Sequence, residues 1–482
     1  MCRGWSRYGW ASPRQRLSSP SGSLRCIQGL LASISLTLTL HPLYAQAMVA
    51  EQNQTSPTQE SARRAAPVVL TLQDALKRAA AYSPQFQEAV TSAGIARQSV
   101  VQARAALLPS LDYLLQDLIT QGNGVTPTGR YVTNDGIHVY RSWAVVRQTV
   151  SADTVTLAGL HHATAAEEVA LAQQEIALRG LNLAVSRAYY ALVVAERRYA
   201  TAQESLSQAA QSLKISQELE RGQQVAHIDV ITFQVEYNQE QQAFQEAELT
   251  MENARLALAV MLFPDLNQDF QVIDDLDTPP PLPTLDEATK MAETNNPEIR
   301  SAMASLRETK YGVSEAKAAL LPSFSLDADY GIEANDLALH SRAAAFPEAG
   351  KLPNLGFFIT LSLSVPVWDW GANISKVRQA EYQKELAQTQ LSSTQRQMLN
   401  NLYSDYNETR TAWSELSNLQ SSASLAAEAL RLNLLRYRAG DATVLDVLNA
   451  QKTLTQTRDA YATGLARYRV ALSVLQTVTG SF

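Results

Sequence analysis

The chain has 482 residues, a formal net charge of −7, 46% hydrophobic residues and only two cysteines. That acidity argues against nucleic acid or anionic lipid as partners. Both cysteines, Cys2 and Cys26, lie near the start, so no disulfide can staple the remainder.

The first residues read as an export signal. Arg3, Arg7, Arg14, Arg16 and Arg25 precede and flank an apolar stretch from Ile27 to Leu40, and Ala45-Gln46-Ala47 follows. A basic start, a short apolar region and a small-residue cleavage pattern define a secretory signal peptide, expected over 1–47. Neither cysteine has the small-residue context of a lipoprotein signal, so no lipid anchor is expected. Losing five arginines and no acid takes the net charge from −7 to −12. Residues 48–68, with Pro57 and Pro67, read as a flexible leader. No later apolar run is long enough for a spanning helix, so the exported chain is expected in the periplasm, outside the cell, or in a β-barrel.

The remainder says the same thing twice. Leu72, Ala75, Ala79, Pro84, Ala89 and Ala105-Ala106-Leu107-Leu108-Pro109-Ser110 recur 213 positions later as Leu285, Ala288, Ala292, Pro297, Ala302 and Ala318-Ala319-Leu320-Leu321-Pro322-Ser323. So long a period is a duplicated half-molecule, not a solenoid. The first repeat spans 69–277, a linker Thr278-Pro279-Pro280-Pro281-Leu282-Pro283 spans 278–283, and the second repeat spans 284–482. Each repeat opens with two short helices separated at Pro84 or Pro297. At Leu-Pro-Ser the period then changes, because proline disfavours helix in the residue before it.

In the second repeat Phe324, Leu326, Ala328 and Tyr330 alternate with Ser323, Ser325, Asp327 and Asp329. Beyond an irregular stretch, Ile359, Leu361, Leu363 and Val365 alternate with Thr360, Ser362 and Ser364. These patterns predict two strands, about 323–331 and 357–366, each apolar on one face and polar on the other. Their first-repeat counterparts, about 110–120 and 138–150 around a loop with Gly122, Gly124 and Pro127, are noisier.

Long arms follow. Leu178, Leu181, Val185, Ala188, Leu192, Ala195 and Tyr199 begin a run spaced three and four apart, and Leu402, Tyr406, Thr409, Trp413 and Leu416 begin another. Sustained three–four spacing is a coiled-coil seam. A helix of about 60 residues is roughly 90 Å long, so something has to be spanned. Gly222 and Gly440 each interrupt an arm, and each is expected at the helix C′ position, where the chain reverses into an antiparallel hairpin.

Four strands cannot close a barrel, because small closed barrels need about eight. An open sheet in lipid leaves edge groups unpaired, so lipid-facing strands require several copies. Here the chain resembles the TolC-type outer-membrane efflux protein family over nearly all of 68–480. The likeness rests on the duplicated Leu-Pro-Ser, on Val365-Pro366-Val367-Trp368-Asp369-Trp370-Gly371, and on Arg438-Ala439-Gly440-Asp441-Ala442-Thr443-Val444-Leu445-Asp446 with Val447-Leu448-Asn449-Ala450-Gln451. It implies an α+β membrane protein. Four strands per chain would contribute to a trimeric 12-strand β-barrel continued by a coiled-coil α-helical periplasmic tunnel. The implied partners are two further copies, a periplasmic adaptor, an inner-membrane pump reached through it, and outer-membrane lipid. The implied function is passive exit of substrate in efflux or type I secretion. A free-standing porin would use many strands and short connections; a periplasmic scaffold would not need the alternating segments.

No catalytic constellation is visible, and no cofactor is expected. His161 and His162 are adjacent and do not share a helix face, so they read as solvated histidines rather than a metal pair. The resemblance instead directs attention to the hairpin tips. Asp446 and Asn449 match the family positions whose side chains constrict the tunnel. A ring of carboxylates there would favour cations, and Asn449 replaces one acidic position. Thr443-x-x-Asp446 also reads as a capping box. Asp229, Tyr437 and Ala442 match a family lock in which an aspartate bonds a tyrosine and an arginine. Ala442 removes the arginine, so only the Asp229–Tyr437 hydrogen bond is expected. Asp229 reads equally as a first-turn acid. Gly222 and Gly440 match positions where family members meet adaptor hairpins.

Overall fold

The computed structural model describes residues 68–119, 138–265, 269–334, 337–344 and 351–481. The expected signal peptide, nearly all of the leader, and the loop with Gly122, Gly124 and Pro127 lie outside these residues.

The two repeats build the same elements in the same order. Strand β1 (Val68–Leu70) leads into α1 (Leu72–Tyr82) and α2 (Pro84–Ala105). Strands β2 (Ser110–Ile119) and β3 (His138–Val150), a short α3 (Ala152–Thr156), α4 (Ala158–Arg221), α5 (His227–Leu262) and β4 (Phe270–Val272) complete the first repeat. The second has α6 (Leu285–Asn295), α7 (Pro297–Ala318), β5 (Ser323–Ala334), a small hairpin β6 (His340–Ala344) and β7 (Lys351–Pro353), β8 (Leu355–Ser364), α8 (Ala372–Arg438) and α9 (Val444–Thr479). Helices α1 and α6 have 11 residues each, α2 and α7 have 22, and α5 and α9 have 36.

Local chemistry sets these boundaries. Thr71 with Asp74, and Thr284 with Glu287, form reciprocal capping boxes on α1 and α6. Ser83 and Asn296 cap α2 and α7, whose first residues are Pro84 and Pro297; proline there lacks an N–H that would be unpaired anyway. At the junctions between sheet and long helices the chain takes left-handed conformations at Leu157 (φ 56) and Trp370 (φ 58). These residues are equivalent under the 213-residue repeat, so both copies turn the same corner on a non-glycine residue.

Helices α4 and α8, of 64 and 67 residues, would each be about 95–100 Å long. Near the sheet the helices pack in the order α2–α4–α7–α8; towards the tips the order is α5–α4–α9–α8. The main core lies midway, where parallel β1 and β4 and helix α1 cover α4. Leu70, Ala75, Tyr189, Leu192, Leu258 and Leu262 are all essentially buried there, each large side chain contributing about 1.5–3 kcal/mol. The Tyr189 hydroxyl donates to Ile273 O at 2.6 Å. Burial, chiefly, pushes its phenol well above the ordinary tyrosine range.

The sheet is antiparallel with order β2-β3-β5-β8. Strands β2 and β8 are its free edges.

Candidate functional site: the helical tips and the sheet

Two regions carry the sequence-derived positions or the exposed chemistry: the hairpin tips and the four-stranded sheet. Both tips are Schellman turns. At the α8–α9 tip Gly440 is left-handed (φ 80), its N–H donates to Tyr437 O at 3.1 Å, and the Asp441 N–H donates to Arg436 O at 2.8 Å. At the α4–α5 tip the equivalent bonds run from Gln223 to Glu220 O and from Gln224 to Leu219 O, and the left-handed residue is Gln223 (φ 55). Gly222, expected at C′, has φ −82 and is the C-cap. Both turns reach their second helix four positions after the left-handed residue, at His227 (227 − 223 = 4) and Val444 (444 − 440 = 4), so the first tip places that conformation on a strained glutamine beside its glycine.

Below the turns lies a compact apolar knot. Phe233 meets Tyr437 edge-on at 5.7 Å, and Leu430, Val444, Val447 and Leu454 close around them. Asp229 is half-buried in the first turn of α5 and makes no hydrogen bond to Tyr437. The expected bond is therefore absent from the single chain. Among the described residues the buried Tyr437 and Ser216 hydroxyls have no hydrogen-bond partner. Burial raises the Tyr437 phenol, the nearby Ser216 hydroxyl opposes that, and the Asp229 carboxylate adds to it. Ala442, part-buried, packs against the same knot.

Asp446 forms the capping box of α9. The Thr443 N–H donates to its carboxylate at 2.8 Å and the Thr443 hydroxyl at 2.7 Å. These bonds, the backbone one foremost, hold the Asp446 carboxyl below the usual aspartate range, so it is charged at neutral pH. Asn449 lies one turn further on. Both are exposed, and Thr453 and Gln456 continue the stripe at helical spacing. That stripe is polar throughout. By contrast α5 exposes Ile228, Val235, Leu249 and Leu256 at multiples of seven, and α8 exposes Leu425 and Leu432.

Strand register sorts the sheet into two faces. One rung carries Leu111, Val146, Ala328 and Ile359; another carries Tyr113, Ala144, Tyr330 and Phe357. Leu361 and Leu363 extend this apolar face, and most of its large side chains are exposed. The opposite face carries Asp112, Arg141, Arg147, Asp327, Asp329 and Glu333, with Thr360, Ser362 and Ser364. Arg147 pairs with Asp327 at 2.6 Å and Arg141 with Glu333 at 2.9 Å. Trp143 also lies on the polar face, level with Gly331 and Gly356. Its ring meets Phe358 edge-on at 5.3 Å, with the Arg141 guanidinium 5.2 Å from its centroid. A Cβ on Gly331 would lie 2.8 Å from Trp143 Cα, so the indole covers a gap that only glycine leaves open.

The histidines do not act together. His161 stacks on Tyr311 at 5.0 Å, whereas His162 Nδ1 sits 3.2 Å from Glu315. His162 is thus tied to α7 rather than simply solvated. Among the described residues no group of side chains could hold a metal ion, and no helix is long and apolar enough to cross a membrane.

Sequence reasoning missed the ties that lock the middle of the molecule. Arg179, buried, donates to Thr477 O at 3.3 Å and Asn295 O at 3.4 Å, and pairs with Glu175. Arg197 grips Asp274 and Asp277, at 2.5 and 2.7 Å. The acidic run Asp274-Asp275-Leu276-Asp277 before the proline linker was the available signal for the second.

Comparison with known proteins agrees with this architecture. Residues 288–481 match the family model described as outer membrane efflux protein. Outer membrane protein TolC of Escherichia coli is 27% identical over 200 residues, 41% of this chain and 40% of TolC. The alkaline protease secretion protein AprF of Pseudomonas aeruginosa is 24% identical over 432 residues, covering 84% of this chain and 85% of AprF. The crystal structure of the Campylobacter jejuni CmeC outer membrane channel superposes with a TM-score of 0.70 at 19% identity, over 85% of both chains. In sequence and in fold the chain is similar to the TolC-type outer membrane efflux proteins.

Proposed function

We propose that three copies of this chain form a passive exit duct in the outer membrane. The duct receives substrate from an inner-membrane pump through a periplasmic adaptor and releases it outside. The observation that carries this reading is the sheet. It has four strands, two free edges and an exposed apolar face, and such a sheet is stable in lipid only when its edges are closed. One side of the chain presents β2, α2 and α5, and the other presents β8 and α8. Different surfaces on opposite sides make a head-to-tail interface, which closes into a ring. Three copies bring twelve strands. The apolar stripes on α5 and α8 then supply a coiled-coil seam between neighbours.

The same reading orients the chain. Val367, Trp368 and Trp370 are 85%, 75% and 88% exposed, just beyond the end of β8. Tryptophan at that level suits the headgroup layer bounding the apolar band. The polar stripe of Asp446 and Asn449 on α9 faces the water-filled tunnel and narrows it at the tip, where the single acidic ring favours cations. Tyr437 holds the tip closed through the apolar knot, with Asp229 beside it and without a salt bridge. The exposed turns at Gly222 and Gly440 meet the adaptor. The test is reconstitution of the purified protein in planar bilayers. Long-lived, uniform conductance steps are expected; a protein that never conducts, or that fractionates as a soluble periplasmic monomer, contradicts the proposal.

A further inference from the structure

A few residues beyond the sheet, the long helix of the first repeat lies against a shorter helix of the second. Here α4 packs on α7, and one side chain meets the other repeat through both nitrogens of its ring. His162 Nδ1 lies 3.2 Å from a Glu315 carboxylate oxygen, and its Nε2 lies 3.9 Å from Glu308. The two glutamates are seven positions apart, so they stand on one face of α7, two turns from each other. Gly312 comes between them, and a Cβ built on it would lie 3.8 Å from His162 Nε2. The imidazole therefore lies over a bare stretch of backbone, with a carboxylate facing each ring nitrogen.

This arrangement asks more of the ring than a neutral imidazole can give. A neutral histidine carries one N–H, so one of its nitrogens turns a lone pair towards a carboxylate. An imidazolium donates from both nitrogens and serves both glutamates at once. The other charged groups around this joint are already committed. Glu167 of α4 pairs with Arg97 of α2, and Glu168 of α4 pairs with Arg307 of α7. Lys317 of α7 reaches Glu381 of α8, and Asp153 of α3 accepts from the Gly159 N–H at 2.8 Å. His161 stacks on Tyr311 instead. Among the described residues no lysine or arginine pairs with Glu308 or Glu315.

We propose that His162, Glu308 and Glu315 form a proton-operated tie between the two repeats, which tightens the α4–α7 joint below the sheet when the surroundings acidify. The proposal rests on the fold alone and goes beyond the exit-duct reading. Histidine is the side chain whose ordinary charge change falls between pH 5 and 8. A histidine that gains carboxylate partners on folding adds stability in acid, and that contribution is lost as pH rises. The side chains of His162, Glu308 and Glu315 are 39%, 30% and 48% exposed. Solvent therefore screens both pairs, and the effect is modest.

The experiment is thermal melting of the whole protein in detergent at about pH 5.5 and 7.5, above the value of about 4.3 at which model glutamates protonate. His162→Gln keeps a polar side chain that cannot take a charge. Its melting temperature is expected to match wild type closely at the higher pH and to fall about 1–3 °C below it at the lower. In a Glu308→Gln/Glu315→Gln background, the same His162→Gln change is expected to have one effect at both pH values. His227, which faces Glu220 at the other end of α4, is present in every variant, so its own titration cancels. If His162→Gln does not fold, Glu308→Gln/Glu315→Gln carries the test, because its deficit against wild type must likewise grow in acid. A deficit that does not grow between the two pH values overturns the proposal. So does a growth caused by His162→Gln that survives in the double-glutamine background.

Discussion

At the scale of the residue, the two copies solve one problem with different chemistry. Each tip needs a left-handed residue to end its long helix and satisfy the last carbonyls. The second copy uses Gly440, which adopts φ 80 without a clash, while the first uses Gln223 at φ 55. A left-handed non-glycine residue costs about 1–2 kcal/mol. Gln223→Gly is therefore expected to stabilise the protein by about 1 kcal/mol, and Gly440→Ala to destabilise it by about the same. Thermal unfolding in detergent followed by circular dichroism reads both; opposite signs are the expected result, and a loss of stability in Gln223→Gly contradicts the assignment. The displacement from Gly222 to Gln223 was invisible in the sequence, because a glycine suits a C-cap and a C′ position alike. The Thr443–Asp446 box was legible, because its spacing is its mechanism.

At the scale of the element, the pattern was clearest where one face meets apolar surroundings. Strands β5 and β8 alternate cleanly because one face of each is all apolar and the other mostly polar. Strands β2 and β3 looked noisier for a reason that only register reveals: Leu114 and Trp143 lie on the polar face, opposite Gly331 and Gly356. The large side chains fill what the glycines leave empty, so period two is obscured in one strand by a vacancy in another. Helix α5 shows a similar dependence on its neighbours. Glu240 lines the groove between α4, α5 and α9, and burial, with Glu236 one turn away adding to it, pushes its carboxyl above the ordinary value of 4.5. A raised carboxyl means that the folded chain holds the proton better than the unfolded chain. Its contribution is fully present below pH 4.5 and is lost as pH rises through the folded value. Glu240→Gln is accordingly expected to be more stable than wild type at pH 7–8, with the difference shrinking on acidification towards pH 4.5. Paired melting curves across that range check it; a difference independent of pH contradicts it.

At the scale of the whole molecule, the duplication could be read from the sequence, while the ties that make the chain rigid could not. Arg179 joins the ends of α6 and α9, and Arg197 holds the acidic linker. Both residues sit within α4 among ordinary surface arginines, and the partners that make these ties are 77 to 298 positions away. These ties hold the middle of the chain and leave its two sides open. Each side ends in a free strand and an apolar helix stripe, the surfaces that the proposed ring would cover. Everything proposed for the tips and the barrel depends on that closure. The mass of the particle extracted from outer membranes in mild detergent, measured by native mass spectrometry, tests it most directly. Three chains per particle is the predicted result; a stable single chain, or a ring of another number, contradicts the account.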